Sequence, residues 1–165
     1  MFYEISQNNS GGHFDVNDKL YHRLIIEADS AEKAAEKAEE LGCYWDGCHN
    51  NMDCHCCGDR WYKPDEPIDM ERLLVDGYAV SSYYDMEDYE KKYGGFEHLE
   101  PPKLRKLKYG KCIEGVVKIN SVEDYAQIIA TAYGWTFPDV RIFYKNGMVR
   151  DVYGVGIEPP KKKRR

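Results

Sequence analysis

Five of the six cysteines in this 165-residue chain fall within residues 43–57, in the run CYWDGCHNNMDCHCC. Such a segment cannot be a regular helix or a half-buried strand. Asp, Gly and Asn crowd the spaces between the cysteines, and no apolar period of 3.6 or 2 residues runs through them. A loop of this kind needs something other than a hydrophobic face to hold it. The candidates are a metal ion, disulfides, or simple burial of small thiols. The N-terminus lacks the basic-then-apolar pattern of a secretory signal, which weighs against disulfides and favours reduced thiols.

Within the cluster, Cys54 and Cys57 have the Cys-x-x-Cys spacing, and Gly58 follows directly. Two thiolates so spaced can turn onto one ion, and glycine after the second permits the tight reversal of a zinc knuckle. A structural Zn2+ site needs about four ligands. Cys43 and Cys48 are the nearest second pair, with His49, His55 and Cys56 as alternates. A thiol-redox pair has the same spacing, but these cysteines do not open a helix after a strand. Catalytic zinc would require an open position and a placed acid, for which Asp53 and Asp59 are candidates. Cys112 stands alone and reads as a core residue. Arg60, Trp61 and Tyr62 follow the knuckle. They either close the loop against the domain or present a guanidinium and aromatic pair to a partner.

Around this loop the chain alternates strand and helix signals. Residues 2–5 and 20–28 read as strands. Asp29 or Ser30 then caps a helix to Gly42, whose apolar face is Ala31, Ala34, Ala35, Ala38 and Leu41. Residues 68–74 and 86–93 read as short helices, with strand or loop between them. Residues 112–119 read as a strand, followed by a helix capped at Ser121. Asn146-Gly147 between two β-rich runs predicts a tight hairpin. Residues 25–41 and 116–132 resemble each other, both reading strand, polar cap, helix. The fold class expected is α+β, a small sheet covered by helices on one side, with a ferredoxin-like split arrangement as one topology. One domain is expected over 1–157. It would carry the cysteine-rich, zinc-knuckle-like loop 43–63 as an insert, an acidic Tyr-rich insertion at 65–100, and a basic tail at 158–165.

The charge pattern bears on partners. Residues 65–100 hold 11 acidic and 3 basic side chains, whereas residues 101–111 hold 5 basic and none acidic, and the chain ends in EPPKKKRR. Basic runs attract phosphates without specificity, so nucleic acid is a possible partner, although the formal net charge is −6. Aromatics beside charges are favoured at protein interfaces, which singles out Tyr83, Tyr84 and Tyr89 beside Arg60 and Trp61 as partner-binding candidates. No apolar run approaches the roughly 20 residues that cross a bilayer, so no membrane role is expected.

The sequence contains no Gly-x-Gly-x-x-Gly, Gly-x-x-x-x-Gly-Lys-Ser/Thr, His-Glu-x-x-His or Gly-x-Ser-x-Gly run. An enzyme is not indicated. FYEISQNNSGG, HRLIIEADSAEKAAEKAEELG, YWDGC and DCHCCGDRW together resemble an uncharacterised family of small proteins of tailed bacteriophages, over about the first 63 residues. The resemblance implies a virally encoded protein acting in the bacterial cytoplasm, with a host system as its target. The function expected is therefore a non-enzymatic binding or inhibitory protein acting on a host protein, with a structural zinc site. The alternatives are a small metal-dependent hydrolase or nuclease, and a nucleic-acid accessory protein that uses the basic runs.

Overall fold

The computed structural model describes residues 1–69, 72–76, 80–82, 98–99, 114–132 and 139–154. Its contacts divide the chain into two compact units. One comprises residues 1–68 and 139–151, and the other residues 69–138 and 152–165. The α+β class expected from the sequence is what the structure shows.

The first unit is built on a mixed sheet of order β1-β2-β7-β8, with β1 at Phe2–Ser6, β2 at Arg23–Glu27, β7 at Asp139–Phe143 and β8 at Val149–Tyr153. β1 runs antiparallel to β2, pairing Tyr3 with Ile26 and Ile5 with Leu24. β2 runs parallel to β7, pairing Ile25 with Ile142. A parallel pair that is directly adjacent is not the split arrangement considered from the sequence, which separates the two strands by a third. Ile5, Leu24, Ile25, Ile26, Val140 and Ile142 are all buried. Strand β2 begins at Arg23 rather than Leu20, because the Asn17 carboxamide oxygen accepts from the backbone N–H groups of Lys19 and Leu20 and turns the chain there.

Helix α1 spans Ala31–Leu41 and packs on β1 and β2. Ala34, Ala35 and Ala38 are buried, so the small-residue face lets the helix lie close to the sheet. Ser30 Oγ accepts from the Lys33 N–H at 3.3 Å. At the other end Gly42 takes φ 115°, and Cys43 N–H and Gly42 N–H bond to Ala38 and Glu39 carbonyls. This is a Schellman stop, which requires a left-handed residue and so favours glycine. The β7–β8 connection is the tight hairpin expected at Asn146-Gly147, closed as a three-residue loop over residues 145–147. Tyr144 O accepts from Gly147 N–H, and Gly147 sits at φ 90°.

The second unit holds strands β3 (Arg72–Asp76), β4 (Val80–Ser82), β5 (His98–Leu99) and β6 (Glu114–Lys118) in the order β4-β3-β6-β5. Residues 72–74, expected to end a helix, instead pair antiparallel with β6. A short apolar run is ambiguous from pattern alone, and here the strand partner decides it. Helix α2 spans Val122–Ala132, with Val122, Tyr125, Ala126, Ile129 and Ala130 buried at helical spacing. The expected helix at 86–93, Cys112, Tyr83, Tyr84, Tyr89, the basic run 101–111 and the tail 158–165 lie outside the described residues.

The two similar segments keep one offset throughout. Strand 23–27 corresponds to 114–118 and helix 31–41 to 122–132, each displaced by 91 residues. Ser121 Oγ accepts from Asp124 N–H at 3.2 Å, as Ser30 does in the first copy. Each strand also has one antiparallel and one parallel neighbour. Either serine changed to alanine is expected to lower stability by about 1 kcal/mol, measured as the shift in urea midpoint at constant slope. A change below about 0.3 kcal/mol for both would show that the caps contribute nothing.

Candidate metal centre and its frame

The cysteine loop leaves α1 at Cys43 and returns to the sheet at Trp61, which bridges to Gln7. Between these points it is held by a buried polar network centred on Arg60. The Arg60 guanidinium donates to Ser10 O at 2.7 Å, to His13 O at 2.6 Å and to Tyr44 Oη at 3.2 Å. It also lies 3.2 Å from the Asp15 carboxylate and 3.7 Å from that of Asp53. The Asp53 side chain is fully buried, at 0% exposure, and accepts from Tyr44 Oη at 2.6 Å and Arg60 N–H at 2.7 Å. Burial, and then the hydrogen bond to Asp53, push the Tyr44 phenol up to about 12. Ser10 Oγ accepts from Cys54 N–H at 2.9 Å, and Asn8 Nδ2 donates to Cys57 O at 2.7 Å. The loop is thus fastened to residues 8–15, which are remote in sequence.

Inside the loop the chain reverses several times. Asp46 and Asn51 take φ 55° and 57°, a region that Asn and Asp tolerate better than most residues. Gly47 O accepts from the Met52 and Asp53 N–H groups. Cys54 O accepts from both Cys57 and Gly58 N–H, and Gly58 completes the reversal at φ 88°. This is the turn that the Cys-x-x-Cys-Gly spacing predicts.

The turn brings three sulfurs together. The thiols of Cys54, Cys56 and Cys57 lie within 4.8 Å of one another. Cys54 Sγ is 2.9 Å from Cys56 Sγ, and Cys56 Sγ is 3.7 Å from Cys57 Sγ. Hydrogen bonding with the Cys56 and Cys57 side chains, and then with the backbone N–H groups of the same residues, brings the Cys54 thiol down to about 7. The Cys56 thiol is correspondingly pushed up to about 11 by its hydrogen bonds to Cys54 and Cys57. Three soft sulfur donors so placed can, on losing their protons to the metal, hold Zn2+ or another thiophilic ion.

The other sequence-predicted ligands stand elsewhere. Cys43 is buried against the helix end, where desolvation pushes its thiol up to about 12, and it is not part of the trio. Cys48 is also outside it, with its N–H on Asp59 Oδ1 and its thiol donating to Cys54 O at 3.4 Å. Exposed His55 has Nε2 on Asn51 Oδ1 at 3.1 Å, and His49 is exposed. Cys56, an alternate in the sequence reading, is therefore a member of the group, and Cys54 and Cys57 join it.

Arg60 and Trp61 require a correction. At 4% and 2% exposure they are buried, and they anchor the loop instead of facing a partner. Their neighbours Met52 and Tyr62 are the exposed large side chains here, at 59% and 52%. Asp53, Tyr44, Ser10 and His13 were not identified from the sequence as one network. No spacing rule links residues 10–15 to 53–60, so only the fold reveals it. A separate concavity of about 330 Å3 lies beside Ile26, Phe143, Lys33, Lys37 and Lys145. Its three lysines are paired with Glu36, Glu40 and Asp29.

The chain belongs to a family described as a domain of unknown function (DUF7296), whose model matches residues 1–113. The match takes in β1, β2, α1 and the whole cysteine loop. No curated protein and no solved structure matches the chain.

Proposed function

We propose that this protein is a phage-encoded, non-enzymatic binding protein that acts on a host protein in the bacterial cytoplasm. Structural Zn2+ on Cys54, Cys56 and Cys57 anchors its binding loop. The observation that carries this reading is the convergence of three thiols on a loop whose base is locked by the Arg60–Asp53 network. An ion there fixes the loop, in which Met52 and Tyr62 stand exposed. Rigid, exposed Met and Tyr side chains are suited to anchoring a protein interface. The tyrosines Tyr83, Tyr84 and Tyr89 remain candidates for extending that surface.

The hydrolase alternative is less well supported by the site's chemistry. Catalytic zinc is commonly held by mixed sets rich in imidazole, with an acid placed to act on bound water. Here the ligands are all thiolates, and both flanking acids are engaged in holding the loop. Asp53 is bound by Tyr44 and the Arg60 amide, and Asp59 by the Cys48 amide. The nucleic-acid alternative rests on basic runs outside the described residues. No helix among the described residues is long and apolar enough to cross a membrane.

Affinity capture from bacterial extract tests the binding role. A captured host protein should be lost when the bait is stripped with chelator and weakened at least tenfold by Met52→Ala with Tyr62→Ala. Capture indifferent to both treatments would contradict the proposal.

A further inference from the structure

We infer that the ion held by Cys54, Cys56 and Cys57 keeps one coordination position for a nitrogen donor from outside the chain, the imidazole of a histidine on a protein partner. This rests on the metal-binding reading above and specifies how the site engages its partner. Structural zinc is almost always four-coordinate, with Zn–S bonds of about 2.3 Å that place thiolates about 3.8 Å apart. The trio brings three sulfurs within 4.8 Å of one another: Cys56 and Cys57, 3.7 Å apart, stand at that separation, Cys54 and Cys56, 2.9 Å apart, would spread to reach it, and Cys56 and Cys57 are exposed. The ion would therefore sit at the protein surface with its remaining position towards solvent.

The nearby internal donors are committed elsewhere. The Cys48 thiol is on Cys54 O, and its backbone is fixed by Asp59. The His55 ring is on Asn51 Oδ1, although the residue lies between two of the ligands in sequence. Asp53 and Asp59 are engaged as described above. Among the described residues, no fourth Cys, His, Asp or Glu joins the group.

Charge selects the class of the fourth donor. Three thiolates on a divalent ion already leave one net negative charge, and the loop 43–63 adds Asp46, Asp53 and Asp59 against Arg60 and Lys63, one further negative charge. A fourth thiolate or a carboxylate would add to this charge. A neutral imidazole would not, and it is a common zinc ligand.

Cobalt substitution gives the direct test, because Co2+ occupies zinc-thiolate sites and is coloured. The metal-free full-length protein is loaded with one equivalent of Co2+ and titrated with imidazole. The expected result is a near-ultraviolet sulfur-to-cobalt band that keeps its intensity, while the visible ligand-field bands shift saturably. Cys48→Ser and His55→Gln should give the same starting spectrum and the same shift. Absence of the sulfur-to-cobalt band would refute the metal-binding reading itself. A band that is present with ligand-field bands indifferent to imidazole would overturn only the open position. So would a starting spectrum altered by Cys48→Ser or His55→Gln, or a band lost as imidazole strips the ion.

Discussion

Arg60→Ala is expected to destabilise the protein by about 3–5 kcal/mol, the range observed when one partner of a buried ion pair is removed. The guanidinium faces a fully buried carboxylate and caps two backbone carbonyls, the buried one of Ser10 and the part-buried one of His13. Alanine removes the positive charge and leaves those acceptors without their donors, while Asp53 keeps only Tyr44 and a backbone N–H. Each loss exposes a desolvation penalty that hydration no longer offsets. Arg60→Lys should recover only part of the stability. One ammonium is a point charge and cannot reproduce the fork that reaches Ser10, His13 and Tyr44 together. Urea unfolding in the presence of chelator isolates this effect from metal binding. A loss below 1 kcal/mol for Arg60→Ala would show that the network does not hold the loop.

Gly47→Ala is expected to cost about 3 kcal/mol although it adds a single methyl group, at the upper end of the range for overpacking. The added Cβ would collide with Asp53 Oδ2, lie 2.5 Å from Asp53 Cγ and approach Tyr44 Cε2 at 2.8 Å. Neither neighbour can yield freely, because Asp53 and Tyr44 bond to each other and to Arg60. The methyl group therefore disrupts the same carboxylate that Arg60→Ala strands. The double variant Gly47→Ala with Arg60→Ala should lose less than the sum of the single changes, by at least 1 kcal/mol. Strict additivity would place the two residues in separate networks and contradict the geometry.

These two residues mark where the sequence stopped being informative. Helix α1 was legible because Ser30, the alanine spacing and Gly42 are local signals whose physics is complete within one segment. The Cys54-x-x-Cys57-Gly58 turn was legible for the same reason, since the glycine serves a left-handed position that the turn itself imposes. The ligand grouping was less so. Spacing pointed to Cys43 and Cys48 as the second pair, but the Schellman stop draws Cys43 into the core beside Ala38, while the turn brings Cys56 onto the neighbouring sulfurs. Arg60 beside an aromatic pair resembled a surface recognition element. Two of its partners, Ser10 and His13, lie 50 and 47 residues earlier in the chain, and such long-range contacts leave no local pattern. Strand β3 was misread because RLLVD fits either helix or strand until β6 is beside it.

The proposed metal site on Cys54, Cys56 and Cys57 is open to a direct measurement. Metal content by mass spectrometry, after reducing and chelator-free purification, tests it most directly when repeated for single cysteine-to-serine variants. The expected result is one zinc per native chain, lost or severely depleted in Cys54→Ser, Cys56→Ser and Cys57→Ser and retained in Cys43→Ser. Native protein without metal, or zinc that survives Cys56→Ser and disappears in Cys43→Ser, would contradict it.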